Sequence, residues 1–193
     1  MRVLVVDPDE ARRERVVQGL GAFEDLRVLL VENTLGVIEH VVKFAPDILI
    51  VACDAPARDA IDDLRRVTET NPRPIVMFVD RSDPEQAEEA LRAGVAAYVV
   101  DGLEPRRIRS ILDLASAQFR VTDGLRRDLA QAKADLAARK VIEKAKGILM
   151  KQRGLDEAAA FALLRKAAMD QGKTLAIVAD ELTAAVLLLG SGK

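Results

Sequence analysis

Residues 47–53, DILIVAC, give the clearest indication of the fold, because six consecutive apolar side chains after an aspartate are typical of a strand buried on both faces of a parallel sheet. Four similar runs occur in the first hundred residues: RVLVVD at 2–7, LRVLLVE at 26–32, PIVMFVD at 74–80 and AAYVV at 96–100. Amphipathic stretches begin at Glu10, Thr34, Ala60, Asp83 and Glu104. Strands and helices that alternate at this spacing form right-handed crossovers. We therefore predict a five-stranded, doubly wound parallel α/β domain over residues 1–112.

Beyond Glu104 the sequence predicts only helices. Between residues 113 and 137, apolar side chains recur at alternating spacings of four and three, which is typical of a short coiled-coil seam. We expect this helical stalk to dimerise through Leu125, Leu129, Ala132 and Leu136. A helix that packs on its own domain is the alternative. Gly124 lies within the stretch and could kink it.

Residues 138–190 predict a further domain of three short helices, at about 139–152, 156–170 and 174–188. Gly154 before Asp156, and Gly172 before Thr174, are typical of a helix stop followed by an N-cap region. Each helix has one apolar stripe, which we assign to a small core. The stripes are Ile142, Ala145, Ile148 and Leu149; Phe161, Leu164 and Ala168; and Leu175, Val178, Leu182 and Val186.

Composition excludes several classes of protein. The 193 residues hold one cysteine, Cys53, which rules out an internal disulfide and a multi-cysteine zinc site. No run reaches the ~18 apolar residues of a membrane span, and the N-terminus lacks a secretory signal pattern, so we expect a cytoplasmic protein without membrane contact. No nucleophile–base pair, phosphate loop or metal cluster predicts an enzyme or a cofactor. His40, the single histidine, falls on the second helix as an ordinary side chain.

Charge is distributed unevenly along the chain. Residues 139–193 hold ten Lys or Arg against six Asp or Glu, whereas the rest of the chain holds 19 against 25. The net charge of +4 on the C-terminal segment favours a polyanionic partner, although a solvated helix surface gives the same pattern.

Two sets of motifs resemble known families. The doubly wound domain that begins with VLVVD at 3–7 and has AAYVV near its end resembles the receiver domain of response regulators. The tail RKVIEKAKGILMKQRGLDEAAAFALLRKAAMDQGKTLAIVADEL, residues 139–182, resembles the ANTAR domain of AmiR/NasR-type transcription antiterminators. Its AKGILM, Gly154 turn, AFxLLR and LxxVAxEL elements occur in the family's order and spacing. PRPIVMF, ALRAGVAAYVV and ILDLASAQF are similar to the NasT-like nitrate-assimilation subgroup.

The receiver resemblance implies chemistry whose residues this chain has mostly lost. Receivers need a carboxylate acceptor, an acidic pair for Mg²⁺, a hydroxyl and a lysine. The acceptor precedes a proline by four positions, which puts Ala52 there when counted back from Pro56. The second acid, the hydroxyl and the lysine are replaced by Pro8, Val79 and Asp101. Only Asp7 is kept.

Asp54, two residues beyond Ala52, is the alternative phosphate acceptor. Because no second acid, hydroxyl or lysine would hold Mg²⁺ and the phosphoryl oxygens, we expect no phosphorylation there. Asp9 and Asp83 fit loop and N-cap positions better than a metal site. The first domain is then a pseudo-receiver, a protein-binding module. The resemblance implies that a nitrate-responsive sensor protein holds and releases the regulator.

The ANTAR resemblance implies binding to paired stem-loops with hexanucleotide loops in nascent leader RNA, which prevents a terminator from forming. Two loops imply two such domains and hence a homodimer. The tail is rich in cations but poor in aromatic residues, so we expect recognition without an aromatic platform. The candidate RNA-binding residues are Lys140, Lys144, Lys146, Gly147, Lys151, Arg153, Arg165, Lys166 and Lys173. A glycine inside a helix is costly, and either close approach of RNA or tight helix packing would explain Gly147.

Two other functions stay open from the sequence. Three short helices also form helix-turn-helix domains, so one alternative is a DNA-binding transcription factor of the two-component type. The apolar and acidic third helix, LAIVADELTAAVLLL at 175–189, is unsuited to a major groove and argues against this alternative. The other alternative is a scaffold, which would bind protein partners without salt-dependent RNA affinity.

Overall fold

The computed structural model describes residues 1–21, 23–101 and 103–190, and the chain divides into two compact units, Met1–Gly124 and a second from Leu125 onward. The strands are β1 (Arg2–Val6), β2 (Arg27–Val31), β3 (Ile48–Cys53), β4 (Ile75–Val79) and β5 (Ala97–Val100). The helices are α1 (Glu10–Leu20), α2 (Val37–Phe44), α3 (Arg58–Thr70), α4 (Pro84–Arg92), α5 (Pro105–Arg153), α6 (Glu157–Gln171) and α7 (Leu175–Gly190).

All five strands form one parallel sheet in the order β2-β1-β3-β4-β5, which confirms the predicted doubly wound α/β fold. In the register of the sheet, Val5 of β1 lies beside Ile50 of β3, and Ile50 lies beside Val76 of β4. The carboxyl ends of these three strands therefore meet at one edge. Connections reverse direction between β1 and β3, which is where sheets of this class place their functional side chains.

Each face of the sheet has its own apolar core, which explains why the strand sequences are apolar without alternation. Leu4 and Met77 are fully buried in the core on one face. Val5 and Phe78 are buried in the core on the other face, where Ile108 of α5 also packs. This packing fixes the carboxyl edge of the sheet as a rigid base for polar side chains.

Local capping sets the helix starts in the first unit. The predicted N-cap roles of Asp9 and Asp83 are confirmed, since each carboxylate accepts a hydrogen bond from a backbone N–H in the first turn of its helix. α2 begins at Val37 rather than at Thr34, because Gly36 adopts the left-handed conformation with φ of +72°.

The long helix α5 differs from the sequence expectation. A separate helix at about 139–152 was predicted, but one helix continues without interruption to Arg153. Gly124 does not end it, because a single glycine costs only about 1 kcal/mol relative to alanine in a helix. The predicted stalk and the first helix of the tail are therefore one element. Despite its length, neither α5 nor any other helix of the described residues is apolar enough to cross a lipid bilayer.

In the second unit, the end of α5 packs with α6 and α7 around a small core. Its buried members are Ala145, Leu149, Ala160, Leu164, Ala168, Val178 and Ala179. The predicted helix stops are confirmed, since Gly154 and Gly172 have φ of +65° and +62°. Asp156 caps α6 by accepting a hydrogen bond from the backbone N–H of Ala159 at 2.7 Å.

Phe161 corrects the predicted core. It was assigned to the buried stripe of α6, but its side chain is 41% exposed. The buried stripe instead starts at Ala160 and continues in steps of four to Leu164 and Ala168. Because successive residues are turned by about 100° around a helix, Phe161 falls beside this stripe rather than on it.

Candidate functional site

The carboxyl edge of the sheet holds an acidic pocket that is filled by an arginine. The guanidinium of Arg12, from the first turn of α1, donates from Nε to Asp7 Oδ2 at 2.7 Å and from Nη2 to Asp7 Oδ1 at 3.1 Å. Its Nη1 donates to Asp54 Oδ1 and to Asp80 Oδ2, both at 2.8 Å. One side chain thus joins carboxylates at the ends of β1, β3 and β4.

This network is buried on the inside and open on the outside. Arg12 is 4% exposed and Asp7 is fully buried, whereas the side chains of Asp54 and Asp80 are mostly exposed. The hydrogen bond to Asp7 is the main cause that raises the pKa of Arg12. The hydrogen bond from Arg12 likewise lowers the pKa of Asp54. Both shifts favour the charged forms, so the network is held as ion pairs at neutral pH.

The pocket does not fit the Mg²⁺ that receiver chemistry requires. Both oxygens of Asp7 already accept hydrogen bonds from Arg12, and Oδ1 also accepts one from the backbone N–H of Asp9 at 2.9 Å. A fixed guanidinium would repel a divalent cation at this position. Arg12 therefore takes the place that a metal ion would need.

The positions predicted to be lost are also unsuited to phosphoryl transfer in the structure. Ala52 and Val79 are buried in the sheet, and Asp101 lies on the surface with φ of +49°. Asp54, the alternative acceptor, is an ion-pair partner of Arg12. Sequence reasoning identified Asp7 and Asp54 but missed Arg12. The available signal was the position of Arg12 one turn before the buried Val16 of α1, which puts a charged side chain on the core face of that helix.

Tyr98 and Cys53 also lie at this edge of the sheet. The hydroxyl of Tyr98 donates a hydrogen bond to Ser82 Oγ at 2.5 Å, which ties β5 to the loop after β4. Cys53, at the end of β3, is half-buried, and burial raises the pKa of its thiol to about 11. His40 lies on α2, as predicted.

In the second unit, four of the predicted RNA-binding residues of α5 share one helix face. Lys140, Lys144, Gly147 and Lys151 are all exposed and recur at spacings of four, three and four. This spacing puts them on one face of the helix. We call these four residues the lysine stripe. Among the residues that the structure describes, its three lysines form no ion pair with an acidic side chain.

Gly147 is surrounded by open space. A Cβ atom added there would meet no heavy atom within 4 Å, apart from the backbone of its own helix. Its backbone is an ordinary part of α5, without a left-handed φ. Tight packing within this chain, one of the two explanations for a glycine here, is therefore not the reason for it. The other explanation, close approach of RNA, stays a prediction.

Lys146 lies on another side of α5 and is only 7% exposed. Its Nζ forms ion pairs with Glu143 at 2.8 Å and with Glu157 of α6 at 2.7 Å. Hydrogen bonds to these carboxylates, first to Glu143, raise the pKa of Lys146, and the reciprocal bond lowers the pKa of Glu157. Lys146 therefore connects two helices of the unit.

The remaining candidates are spread over the second unit. Lys173 pairs with Glu181 of α7 at 2.6 Å. Arg153 ends α5 and is exposed, and Arg165 and Lys166 lie on the exposed face of α6. The structure thus brings the lysine stripe together on one helix face, while it engages Lys146 and Lys173 in ion pairs.

The predicted seam residues Leu125, Leu129, Ala132 and Leu136 are all exposed. The three leucines are between 54% and 65% exposed. None of the four belongs to the described core of the second unit, and their role in dimerisation stays a prediction. Four apolar side chains at coiled-coil spacing are left open to solvent within one chain.

Comparison with known proteins follows the division of the chain into two units. A family model described as the response regulator receiver domain matches residues 3–113, and one described as the ANTAR domain matches residues 130–182. The chain belongs to the response-regulator receiver family and carries an ANTAR domain.

Two curated relatives of this ANTAR response regulator are themselves regulators. The transcriptional regulatory protein PdtaR of Mycobacterium tuberculosis is 33% identical over 135 residues, which cover 70% of this chain and 66% of PdtaR. The nitrate regulatory protein of Klebsiella oxytoca is 37% identical over 124 residues, which cover 63% of this chain and 31% of that protein. The match thus spans less than two thirds of either relative's own length.

A solved structure agrees with the fold of the first unit. The signal receiver domain of the response regulator NarL from Mycobacterium tuberculosis matches with a TM-score of 0.52 and 22% identity. The match covers 59% of this chain and 94% of that domain. At this identity the likeness concerns the fold alone.

Proposed function

We propose that this ANTAR response regulator binds paired stem-loops in leader mRNA and thereby prevents transcription termination. The lysine stripe is the observation that carries the proposal. Three exposed lysines on one helix face match a phosphate backbone, and Gly147 between them leaves room for close approach of that backbone or of a loop base. Arg153, Arg165 and Lys166 add exposed positive charge in the same unit.

A homodimer would present two such units to two stem-loops. The exposed seam of Leu125, Leu129, Ala132 and Leu136 supports dimerisation, because burial of leucines between two helices stabilises a coiled coil. In this proposal residues 1–112 are the pseudo-receiver, 113–137 the stalk and 138–190 the RNA-binding domain.

The pseudo-receiver is controlled by a partner sensor protein rather than by phosphorylation. The guanidinium of Arg12 supports this step, because it binds the carboxylates that would hold Mg²⁺ or accept phosphate. The relationship to the nitrate regulatory protein of Klebsiella oxytoca supports nitrate or nitrite assimilation as the regulated process. The proposed place of action is the cytoplasm, where nascent leader RNA is made.

The decisive experiment uses an RNA pool with two stem-loops whose six-nucleotide loops are randomised. We expect the full-length protein to enrich defined loop sequences, with an affinity that falls steeply between about 50 and 200 mM salt. Lys144→Gln should weaken binding and reduce the slope of log affinity against log salt by about one, as the loss of one phosphate contact predicts. Lys43→Gln, on α2 of the first unit, is the matched control and should bind like the wild type.

Absence of loop enrichment, or affinity that does not respond to salt, would contradict the RNA-binding function. Equal binding to a DNA version of the enriched stem-loops would instead favour the DNA-binding alternative, because the 2′-hydroxyl would then contribute nothing.

A further inference from the structure

Phe161 is the only exposed aromatic side chain among the residues that the structure describes. The chain has five phenylalanines, one tyrosine and no tryptophan, and the other aromatic side chains are buried or half-buried. The guanidinium carbon of Arg2 lies 5.0 Å from the centre of the Phe44 ring, and that of Arg109 lies 5.2 Å from the centre of the Phe23 ring. No such cation covers Phe161 within the described part of the chain. Its ring is therefore accessible in a way that the others are not.

Most neighbours of Phe161 on the exposed face of α6 are small or cationic, and the exception, Glu157 one turn earlier, is paired with Lys146 at 2.7 Å. Ala158 and Ala162 flank the ring at spacings of three and one, and both are exposed. Arg165 follows one turn later, which puts its Cβ about 5 to 6 Å from that of Phe161. Lys166 lies beside it, and neither cation has an acidic partner among the described residues. The surface thus combines a flat aromatic face with unpaired positive charge.

We propose that Phe161 and Arg165 form a stacking platform for an unpaired base of the RNA loop. The inference rests on the proposed RNA-binding function and specifies how part of the loop is held. An accessible aromatic ring stacks on any nucleobase, and an arginine one turn away either stacks on the next base or pairs with its phosphate. This replaces the expectation that recognition works without an aromatic residue.

Charge favours RNA over a protein partner on this face. A protein partner would have to supply carboxylates for Arg165 and Lys166, since neither cation has an acidic partner among the described residues. A polyanion with accessible bases can stack a base on the ring and pair its phosphates with the cations. An unpaired loop fits this description, because the bases of a duplex are already stacked on each other.

The first test compares Phe161→Leu with Phe161→Tyr in the full-length protein, on a stem-loop RNA whose loop sequence the wild type has enriched. Leucine keeps most of the apolar volume but has no π face, so we expect its affinity to fall by about tenfold. Tyrosine keeps the ring and should bind within about twofold of the wild type. Thermal unfolding and the oligomeric state of both variants should match the wild type, because the ring lies outside the core.

The second test uses Phe161→Trp, which introduces the only tryptophan of the chain. Stacking of a base on the indole should quench its fluorescence when the enriched stem-loop binds. The same stem closed by a non-nucleotide linker should cause no quenching. Val42→Trp, at an exposed position of α2 in the first unit, is the matched control and should keep its emission with either RNA.

The outcomes separate the two proposals. If the wild type enriches no loop, the RNA-binding function fails and the platform fails with it. If the wild type binds but Phe161→Leu binds equally well, or Phe161→Trp is not quenched by bound RNA, only the platform is overturned. A change of oligomeric state in Phe161→Leu would also overturn it, since the ring would then belong to a protein interface.

Discussion

Arg12 forms a two-pronged ion pair with Asp7, from Nε to Oδ2 at 2.7 Å and from Nη2 to Oδ1 at 3.1 Å, and Asp7 is fully buried. Removal of the guanidinium would leave a buried carboxylate without its cation. We expect Arg12→Met to lower the free energy of unfolding by about 3 to 5 kcal/mol in urea denaturation at neutral pH. Arg15→Met, on the exposed side of α1, should change it by less than about 0.5 kcal/mol. If Arg12→Met lost no more than about 0.5 kcal/mol, like Arg15→Met, the ion pair would contribute little to stability.

The same pair predicts how the first unit responds to Mg²⁺ and to small phosphoryl donors. We expect Mg²⁺ to leave the thermal midpoint of the wild type unchanged, and acetyl phosphate to add no phosphoryl mass. Arg12→Ala frees the carboxylates of Asp7, Asp54 and Asp80, so Mg²⁺ should raise the midpoint of this variant. Covalent phosphate on Asp54 of the wild type, located by mass spectrometry, would refute control without phosphorylation.

Cys53 is predicted to be an unreactive thiol. Burial raises its pKa to about 11, so the thiolate fraction at pH 8 is on the order of a hundredfold lower than for a free cysteine. We expect alkylation by iodoacetamide to be slow in the folded protein and fast in urea, with intact mass as the readout. Rapid alkylation of the folded protein would mean that the end of β3 opens readily.

The sequence predicted the doubly wound parallel sheet and the helix caps, because buried strands and capping residues each produce a short local pattern. It did not predict the filled pocket, because the contact of Arg12 with Asp54 and Asp80 spans 42 and 68 residues and depends on strand register. It also assigned Phe161 to the core, since a period of 3.6 residues leaves neighbouring positions of a short helix hard to distinguish. It named Lys146 as a candidate RNA-binding residue without its ion pairs, of which the one with Glu157 depends on how α6 packs on α5.

The ion pair of Lys146 with Glu157 predicts a pH window for the stability of the second unit. Because the pKa of Glu157 is lowered in the folded state, its carboxylate stabilises the fold above the pKa that it has in the unfolded chain. This stabilisation is lost as pH falls through the pKa of the folded state. The raised pKa of Lys146 means that its contribution is present below its unfolded pKa and is lost as pH rises through the folded value.

Glu157→Gln should therefore lower the thermal midpoint at neutral pH, measured by circular dichroism. It should also make the midpoint fall less when the pH is lowered. Lys146→Met should have the same two effects. The double variant should lose less stability than the sum of the losses in the two single variants. Additive losses would show that the residues act independently. A binding assay on Lys146→Met must be read beside this stability measurement, because the substitution also removes a contact between α5 and α6.

Gly147 and Gly124 form a matched pair for testing the lysine stripe. Both lie inside α5, and an added Cβ would meet no heavy atom at either position apart from the helix's own backbone. Alanine should therefore stabilise the protein by about 0.5 to 1 kcal/mol at each site, because it is the better helix former. Only Gly147→Ala should weaken binding to the enriched stem-loop, since its methyl group would occupy the space into which the RNA approaches, whereas Gly124→Ala should bind like the wild type. A variant that gains stability and loses affinity cannot have failed through misfolding. This result would show that Gly147 leaves room for the bound RNA. If Gly147→Ala gained stability and kept full affinity, the RNA would have to contact another face of the unit, and the lysine stripe would no longer support the proposed function.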